Sequence, residues 1–228
     1  MNGAVRGARV LVDYATLFGN TRRMAEALAE GARAVPGTEV ALKPCDEAGA
    51  DDLRAADAVA LGAAVHMNSA DWRMKRFIEE AIGQLWLTDE LTGKLGAAFV
   101  TGGGYGGGGA GAEATALGLL GAMAECGMVL LPFPKRSPGA PEGSATWAPY
   151  GRTGGRTMEP LGVQSEALEA ARQHGGNIAR VAAALAAAGG SQLLADGVAA
   201  PPREALPRIA AMMGKLDVPA SGIPQAAE

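Results

Sequence analysis

Arg9-Val10-Leu11-Val12-Asp13-Tyr14 is followed, after Ala15, by Thr16-Leu17-Phe18-Gly19-Asn20-Thr21. The first six residues are mostly β-formers. The second six are hydroxyl, amide and glycine residues around two apolar ones. Met24, Ala25, Leu28, Ala29 and Ala32 then recur at helical spacing, so the passage reads strand, loop and helix, the helix covering Thr21–Arg33. A loop of this kind at a helix amino end offers free backbone N–H groups and the positive end of the helix dipole, which favour a phosphate. It has no Lys followed by Ser or Thr, so it is not a nucleoside-triphosphate loop. The same residues also fit an ordinary helix start capped by Asn20 or Thr21.

The rhythm continues outward from this passage. Glu39–Lys43 alternates like an outer strand, and Ala58–Gly62 is a continuous apolar run suited to a central parallel strand. Asp71–Ile82 reads as a helix with Trp72, Phe77, Ile78, Ala81 and Ile82 turned inward. Leu95–Val100 is a strand, Glu113–Cys126 a helix, Met128–Phe133 a fifth strand and Glu166–Ala187 a long final helix. Five strands alternating with helices predict an α/β fold, an open parallel sheet with helices on both faces and right-handed crossovers. The domain is expected over residues 1–187. Residues 188–228 form an Ala/Pro-rich extension with one short amphipathic helix at 203–215. The Pro134–Pro160 stretch, with Trp147 and Tyr150, is too long for an idle connection and is read as a functional or interface loop.

Composition narrows the function. The chain has 228 residues, 48% hydrophobic and 19% charged, which suits one domain with a proper core plus an appendage. A net charge of −4 supplies no basic patch for nucleic acid. No apolar run approaches the roughly 20 residues that span a membrane. Met1–Gly7 is short and polar and leads straight into a strand, so a cytoplasmic location is expected. Cys45 and Cys126 match no metal or redox spacing, and no metal is expected.

Ligands of open parallel sheets sit beyond the carboxyl ends of the strands, where the strand order reverses. The loops after the first, third and fourth strands would converge there. The second of these loops, Ala63-Ala64-Val65-His66-Met67-Asn68, can lie along a flat heterocycle; it also fits a surface histidine and a packing methionine. The third holds seven glycines in the eight positions from Gly102 to Gly109. Bare backbone there can approach a ring closely, although a flexible loop has the same composition. It formally contains G-x-G-x-x-G at Gly102, Gly104 and Gly107. In so glycine-rich a run the match carries no weight, and no acidic residue ends the next strand, so a dinucleotide-binding fingerprint is rejected. A phosphate socket beside a ring-clasping pair of loops describes a flavin mononucleotide (FMN) site.

Thr16–Thr21 resembles the phosphate loop of flavodoxins. The rest of the chain resembles the tryptophan-repressor-binding protein family of NAD(P)H:quinone oxidoreductases. The shared pieces are Met74–Ile78, the L-W-x-x-x-x-L-x-G-K pattern of Leu85–Lys94, the glycine run with Glu113 and Thr115, C-G-M at Cys126–Met128, and Pro149–Gly151. The resemblance implies a flavodoxin-like, doubly wound five-stranded sheet of order 2-1-3-4-5. It implies FMN as cofactor, NAD(P)H as electron donor and a quinone as substrate. Thr16, Phe18, Gly19, Asn20 and Thr21 would hold the phosphate. Val65, His66 and Met67 would line one side of the ring, and Thr101, Gly102, Gly103, Gly104, Tyr105 and Gly106 the other. Trp86 matches a tryptophan that borders the substrate pocket of a neighbouring subunit, so a homodimer or homotetramer is expected, through the Trp86 region and the 134–160 loop. Glu125-Cys126 stand where that family has a ring-side histidine, and this places Cys126 near the flavin pocket. No catalytic side chain is named, because the flavin carries the chemistry. Two other readings stay open: a flavodoxin that shuttles single electrons between proteins, and a flavin-free interaction domain.

Overall fold

The computed structural model describes residues 7–104, 111–157, 159–190 and 192–195. The expected helix at 203–215 lies outside the described residues, as do Tyr105 and Gly106. Strand β1 (Arg9–Tyr14) leads into helix α1 (Asn20–Arg33), and β2 (Glu39–Pro44) into the short α2 (Ala50–Ala55). The third strand, β3 (Ala58–His66), runs four residues past its expected end and folds back on β4 (Ser69–Ala70). Helix α3 (Trp72–Phe77) continues through a π-turn at Ile78–Ile82 into α4 (Gly83–Trp86). Then come β5 (Leu95–Gly102), α5 (Ala112–Glu125), β6 (Val129–Leu130), α6 (Ala140–Gly143), β7 (Tyr150–Arg152), α7 (Ser165–Ala187) and α8 (Gln192–Ala195).

The sheet order is β2-β1-β3-β5-β6, with all of these pairs parallel. This is the expected 2-1-3-4-5 order, because β4 is only a hairpin arm on β3. The fifth position differs in detail: two short strands share it. β6 pairs with the amino end of β5 at Leu95 and Gly96, and β7 pairs with the carboxyl end at Val100–Gly102. Pro132 and Pro134 explain the break. Proline has no N–H to give a ladder, and the last contact before it is the Leu131 N–H donating to the Gly96 carbonyl at 2.8 Å. The chain then leaves the sheet, packs α6 on α7, and returns as β7. The expected 134–160 loop is therefore largely an excursion that completes the sheet.

Alternation along the strands divides the core between two faces. Val10, Val12 and Tyr14 pack with α1 and α7, while Leu11, Ala15, Val59 and Leu61 pack with α2, α3 and α5. On α3 the inward residues are Met74 and Phe77, which turns Trp72 outward, 65% exposed, rather than inward as the spacing suggested. The residues shared with the quinone oxidoreductase family do structural work here. Leu85 and Leu91 are buried. Lys94 Nζ donates to the carbonyls of Ala56, at 2.6 Å, and Arg54, at 2.9 Å, so it holds the end of α2. Burial lowers its pKa. No helix among the described residues is long and apolar enough to cross a membrane.

Candidate functional site

A cleft of about 550 Å³ opens at the carboxyl ends of β1, β3 and β5. Its first wall is the loop into α1. Thr16 Oγ1 accepts the Gly19 N–H at 3.0 Å and closes that loop. Gly19 stands immediately before α1 at φ +81°, with open space where a Cβ would be. The backbone conformation, and not a lack of room, is what calls for glycine. The residue before α1 is Gly19, which has no side chain to cap it, and neither Asn20 nor Thr21 takes the capping position. The first N–H groups of a fourteen-residue helix therefore face the cleft without intrahelical acceptors. At the base, the buried hydroxyls of Thr21 and Thr101 lie 2.8 Å apart and tie α1 to the end of β5. Leu17, Phe18 and Asn20 also line this wall. An uncapped helix terminus with threonine hydroxyls around it fits the phosphate of a flavin mononucleotide.

The second wall is the β3–β4 hairpin. Val65 pairs with Ala70 and His66 with Ser69. The two turn residues, Met67 and Asn68, both have positive φ, 48° and 64°, the conformation of a two-residue hairpin turn. Val65 and His66 line the cleft. Met67 does not; it sits at the tip of the turn and is 99% exposed. The third wall is Thr101–Gly103, with Gly104 following at φ +66° against Arg152.

A fourth wall was not foreseen. Thr153, Gly154, Pro160 and Gly162, in the segment after β7, close the cleft. A Cβ on Gly154 would stand 2.4 Å from the Gly103 carbonyl oxygen, so this wall meets the third only because Gly154 is bare. Glu159 braces the turn by accepting from the Thr157 hydroxyl and the N–H groups of Thr157 and Arg156. Those bonds, the hydroxyl's first, hold its pKa down to about 2. The excessive length of the 134–160 segment was the right signal, but Gly154 and Pro160 were the residues to single out, not Trp147.

Asp71 stands behind the hairpin and was also missed. Its side chain is fully buried. One oxygen accepts the N–H and Nε–H of Arg73, each at 3.0 Å, and the other accepts Arg73 Nη2–H. His66 Nδ1 lies 3.7 Å from that second oxygen. Burial pushes the Asp71 pKa up, but the Arg73 hydrogen bonds and charge, with His66, bring it below its ordinary value. The signal was an aspartate directly before a helical run, an N-cap pattern.

Trp86 ends α4, 46% exposed, and does not line its own chain's cleft. Cys126 is a correction. It follows α5 at the amino end of the sheet, where the Gly93 N–H donates to the Gly127 carbonyl, and so lies at the opposite end of its own chain from the cleft. A parallel strand must be entered from that end, whatever residue stands before it. Burial first, then Glu125, raises its thiol to about 11. Burial and Asp13 raise Cys45 to about 12. Neither thiol is ionised near neutrality, and no metal-binding cluster occurs among the described residues.

An open parallel sheet of this order, with a helix amino terminus, a hairpin and a glycine-bearing strand end around a cleft at its switch point, defines a flavodoxin-like domain. Residues 12–130 match the family model described as Flavodoxin. An NAD(P)H dehydrogenase (quinone) of Sinorhizobium fredii is 32% identical over 205 residues, covering 78% of this chain and 99% of that protein. A flavodoxin of Aquifex aeolicus is 46% identical over 122 residues, 54% of this chain and 63% of that protein, so the chain spans under two thirds of that relative. The crystal structure of a WrbA-like flavodoxin from Agrobacterium tumefaciens is similar with a TM-score of 0.59 at 26% identity, covering 77% of this chain and 97% of that one. The chain belongs to the flavodoxin family and stands with its NAD(P)H dehydrogenase (quinone) members.

Proposed function

We propose that this protein is an FMN-dependent NAD(P)H:quinone oxidoreductase that moves two electrons at a time. The observation that carries the reading is the cleft itself. It brings the amino terminus of α1, the hairpin residues Val65 and His66 and the strand end Thr101–Gly103 around one cleft, within the size range of ligand pockets. Thr16, Phe18, Gly19, Asn20 and Thr21 hold the phosphate through backbone N–H groups and hydroxyls. Val65 and His66 lie along one side of the ring, with Met67 at the rim. Thr101–Gly104 lie along the other; Tyr105 and Gly106, named with them from the sequence, lie outside the described residues. FMN supplies a ring that takes a hydride from a dihydronicotinamide and gives two electrons to a quinone. The walls orient donor and acceptor in turn in the same cleft. Trp86 borders the quinone of a neighbouring subunit in a dimer or tetramer. The names and near-complete coverage of the NAD(P)H dehydrogenase (quinone) relatives support the donor and acceptor.

The identity to the Aquifex aeolicus flavodoxin favours a second reading, a carrier of single electrons between proteins. Cofactor released by heat from the purified protein is expected to run as FMN on chromatography, and FAD or no flavin would contradict the cofactor assignment. Steady-state NADPH oxidation with benzoquinone then separates enzyme from carrier.

A further inference from the structure

We propose that His66 is a catalytic proton donor to the quinone, held in place by Asp71 and Arg73 as positioning residues; this rests on the quinone reductase reading above. Among the described residues that line the cleft, His66 is the only one with an ionisable side chain. The others offer hydroxyls, an amide, apolar groups or bare backbone. Reduction of a quinone to a hydroquinone needs two electrons and two protons. A hydride from the dihydronicotinamide brings both electrons and one proton. The second proton must come from an acid beside the acceptor, and imidazole is the side chain suited to give one up and regain it near neutral pH. In this step the His66 Nε2–H bond breaks and an O–H bond forms on the quinone. The imidazole left behind is neutral and takes a proton from water, which reaches a ring that is 39% exposed.

The geometry is built for an aimed ring. His66 is fixed in the backbone by its pairing with Ser69 and by the two positive-φ residues that follow it. Nδ1 faces the Asp71 carboxylate at 3.7 Å, which leaves Nε2 as the nitrogen free for the cleft. The carboxylate is in turn locked by three donors of Arg73 and cannot turn away. At 3.7 Å the contact is an ion-pair distance and not a hydrogen bond, and through it the carboxylate steadies the imidazolium and favours a proton on Nδ1 by charge. His174, the chain's other histidine, is fully buried on α7 and has no part in this.

The test uses the full chain carrying its flavin, reduced anaerobically, with His66→Gln and His66→Ala variants. Reoxidation is followed with benzoquinone, which needs protons, and with ferricyanide, which takes electrons one at a time and needs none. The expected result is a ratio of quinone rate to ferricyanide rate at least tenfold lower in both variants than in the wild type. Equal effects on both acceptors, or none on either, would overturn the proposal. A wild-type protein that quinone does not reoxidise would instead sink the quinone reductase reading beneath it. A second readout does not depend on turnover. With two histidines in the chain, nitrogen NMR of the flavin-free protein, assigned with His174→Leu, reports the His66 tautomer. Neutral His66 is expected to carry its proton on Nδ1, and Asp71→Asn or Arg73→Gln to mix the tautomers. A wild-type Nε2–H tautomer would contradict the arrangement.

Discussion

His174 sits inside α7 with both ring nitrogens unpaired among the described residues, its ring edge-on to Phe133 at 5.3 Å. Burial holds its pKa down at about 3. Asp13, on β1, is also fully buried with both oxygens unpaired among the described residues; burial raises its pKa to about 8. The two act on folding with opposite sign. Below pH 6.5 the unfolded chain protonates His174 and the folded one does not, so its contribution to stability falls with acid by up to about 1.4 kcal/mol per pH unit, down to pH 3. Between pH 4 and 8 the folded chain keeps the Asp13 proton that the unfolded chain has lost, so that contribution falls as pH rises. The pair should cancel from about pH 4 to 6.5. From about pH 6.5 to 8 Asp13 alone should cost about 2 kcal/mol. Urea unfolding across pH 4 to 8, at constant FMN, checks this. Asp13→Asn should gain most at pH 8 and nothing at pH 4. His174→Leu should gain at pH 7, where it removes buried unpaired nitrogens, and more at pH 5. A loss of stability in His174→Leu at pH 5 would contradict the account. Neither effect was legible in the sequence, because a histidine in an alanine-rich helix and an aspartate in a strand do not declare their depth.

Among the elements, the loop into α1 carries the cofactor assignment. Gly19→Val meets no neighbour but puts a β-branched residue at φ +81°, a strain of roughly 1–2 kcal/mol. The loop should reopen and FMN affinity should fall about tenfold. Thr16→Ala removes the acceptor of the Gly19 N–H and the hydroxyl proposed to donate to the phosphate, worth roughly 1.5–3 kcal/mol, or about ten- to a hundredfold in Kd. Fluorescence titration with FMN measures both, and wild-type affinity in both variants would remove the phosphate assignment. This element was readable in advance because strand, loop and helix are adjacent in sequence and their chemistry is local. The β3–β4 hairpin was only half readable. Val65 and His66 were placed on a wall from their position after a strand, but the turn that carries Met67 away depends on backbone dihedrals the residue types do not advertise. The fourth wall was readable only as a segment too long to be idle; which of its residues face the cleft was not, because Gly154 reaches Gly103 only through the return of β7 to the edge of β5, a pairing between segments about fifty residues apart.

Taken as a whole molecule, the fold followed from periodicity and loop chemistry, and the strand order from the resemblance; the divided fifth position followed from neither. Its cause, two prolines in a run of otherwise good strand formers, was visible but was outweighed by the apolar pattern around it. The assembly is still a prediction. Phe18, Met67 and Trp72 are each more than half exposed, and Trp86 nearly half, and the proposed assembly would cover Trp86. Sedimentation at micromolar concentration should give a dimer or tetramer; a monomer would remove the shared-pocket role of Trp86. The central claim is the passage of electrons from nicotinamide to quinone through bound flavin. Its most direct test is an anaerobic titration of the purified protein. One equivalent of NADPH or NADH per flavin should bleach the flavin band, and one equivalent of benzoquinone should restore it fully. A flavin that neither nicotinamide reduces, or whose reoxidation by benzoquinone releases free semiquinone radical seen by electron paramagnetic resonance, would contradict the account.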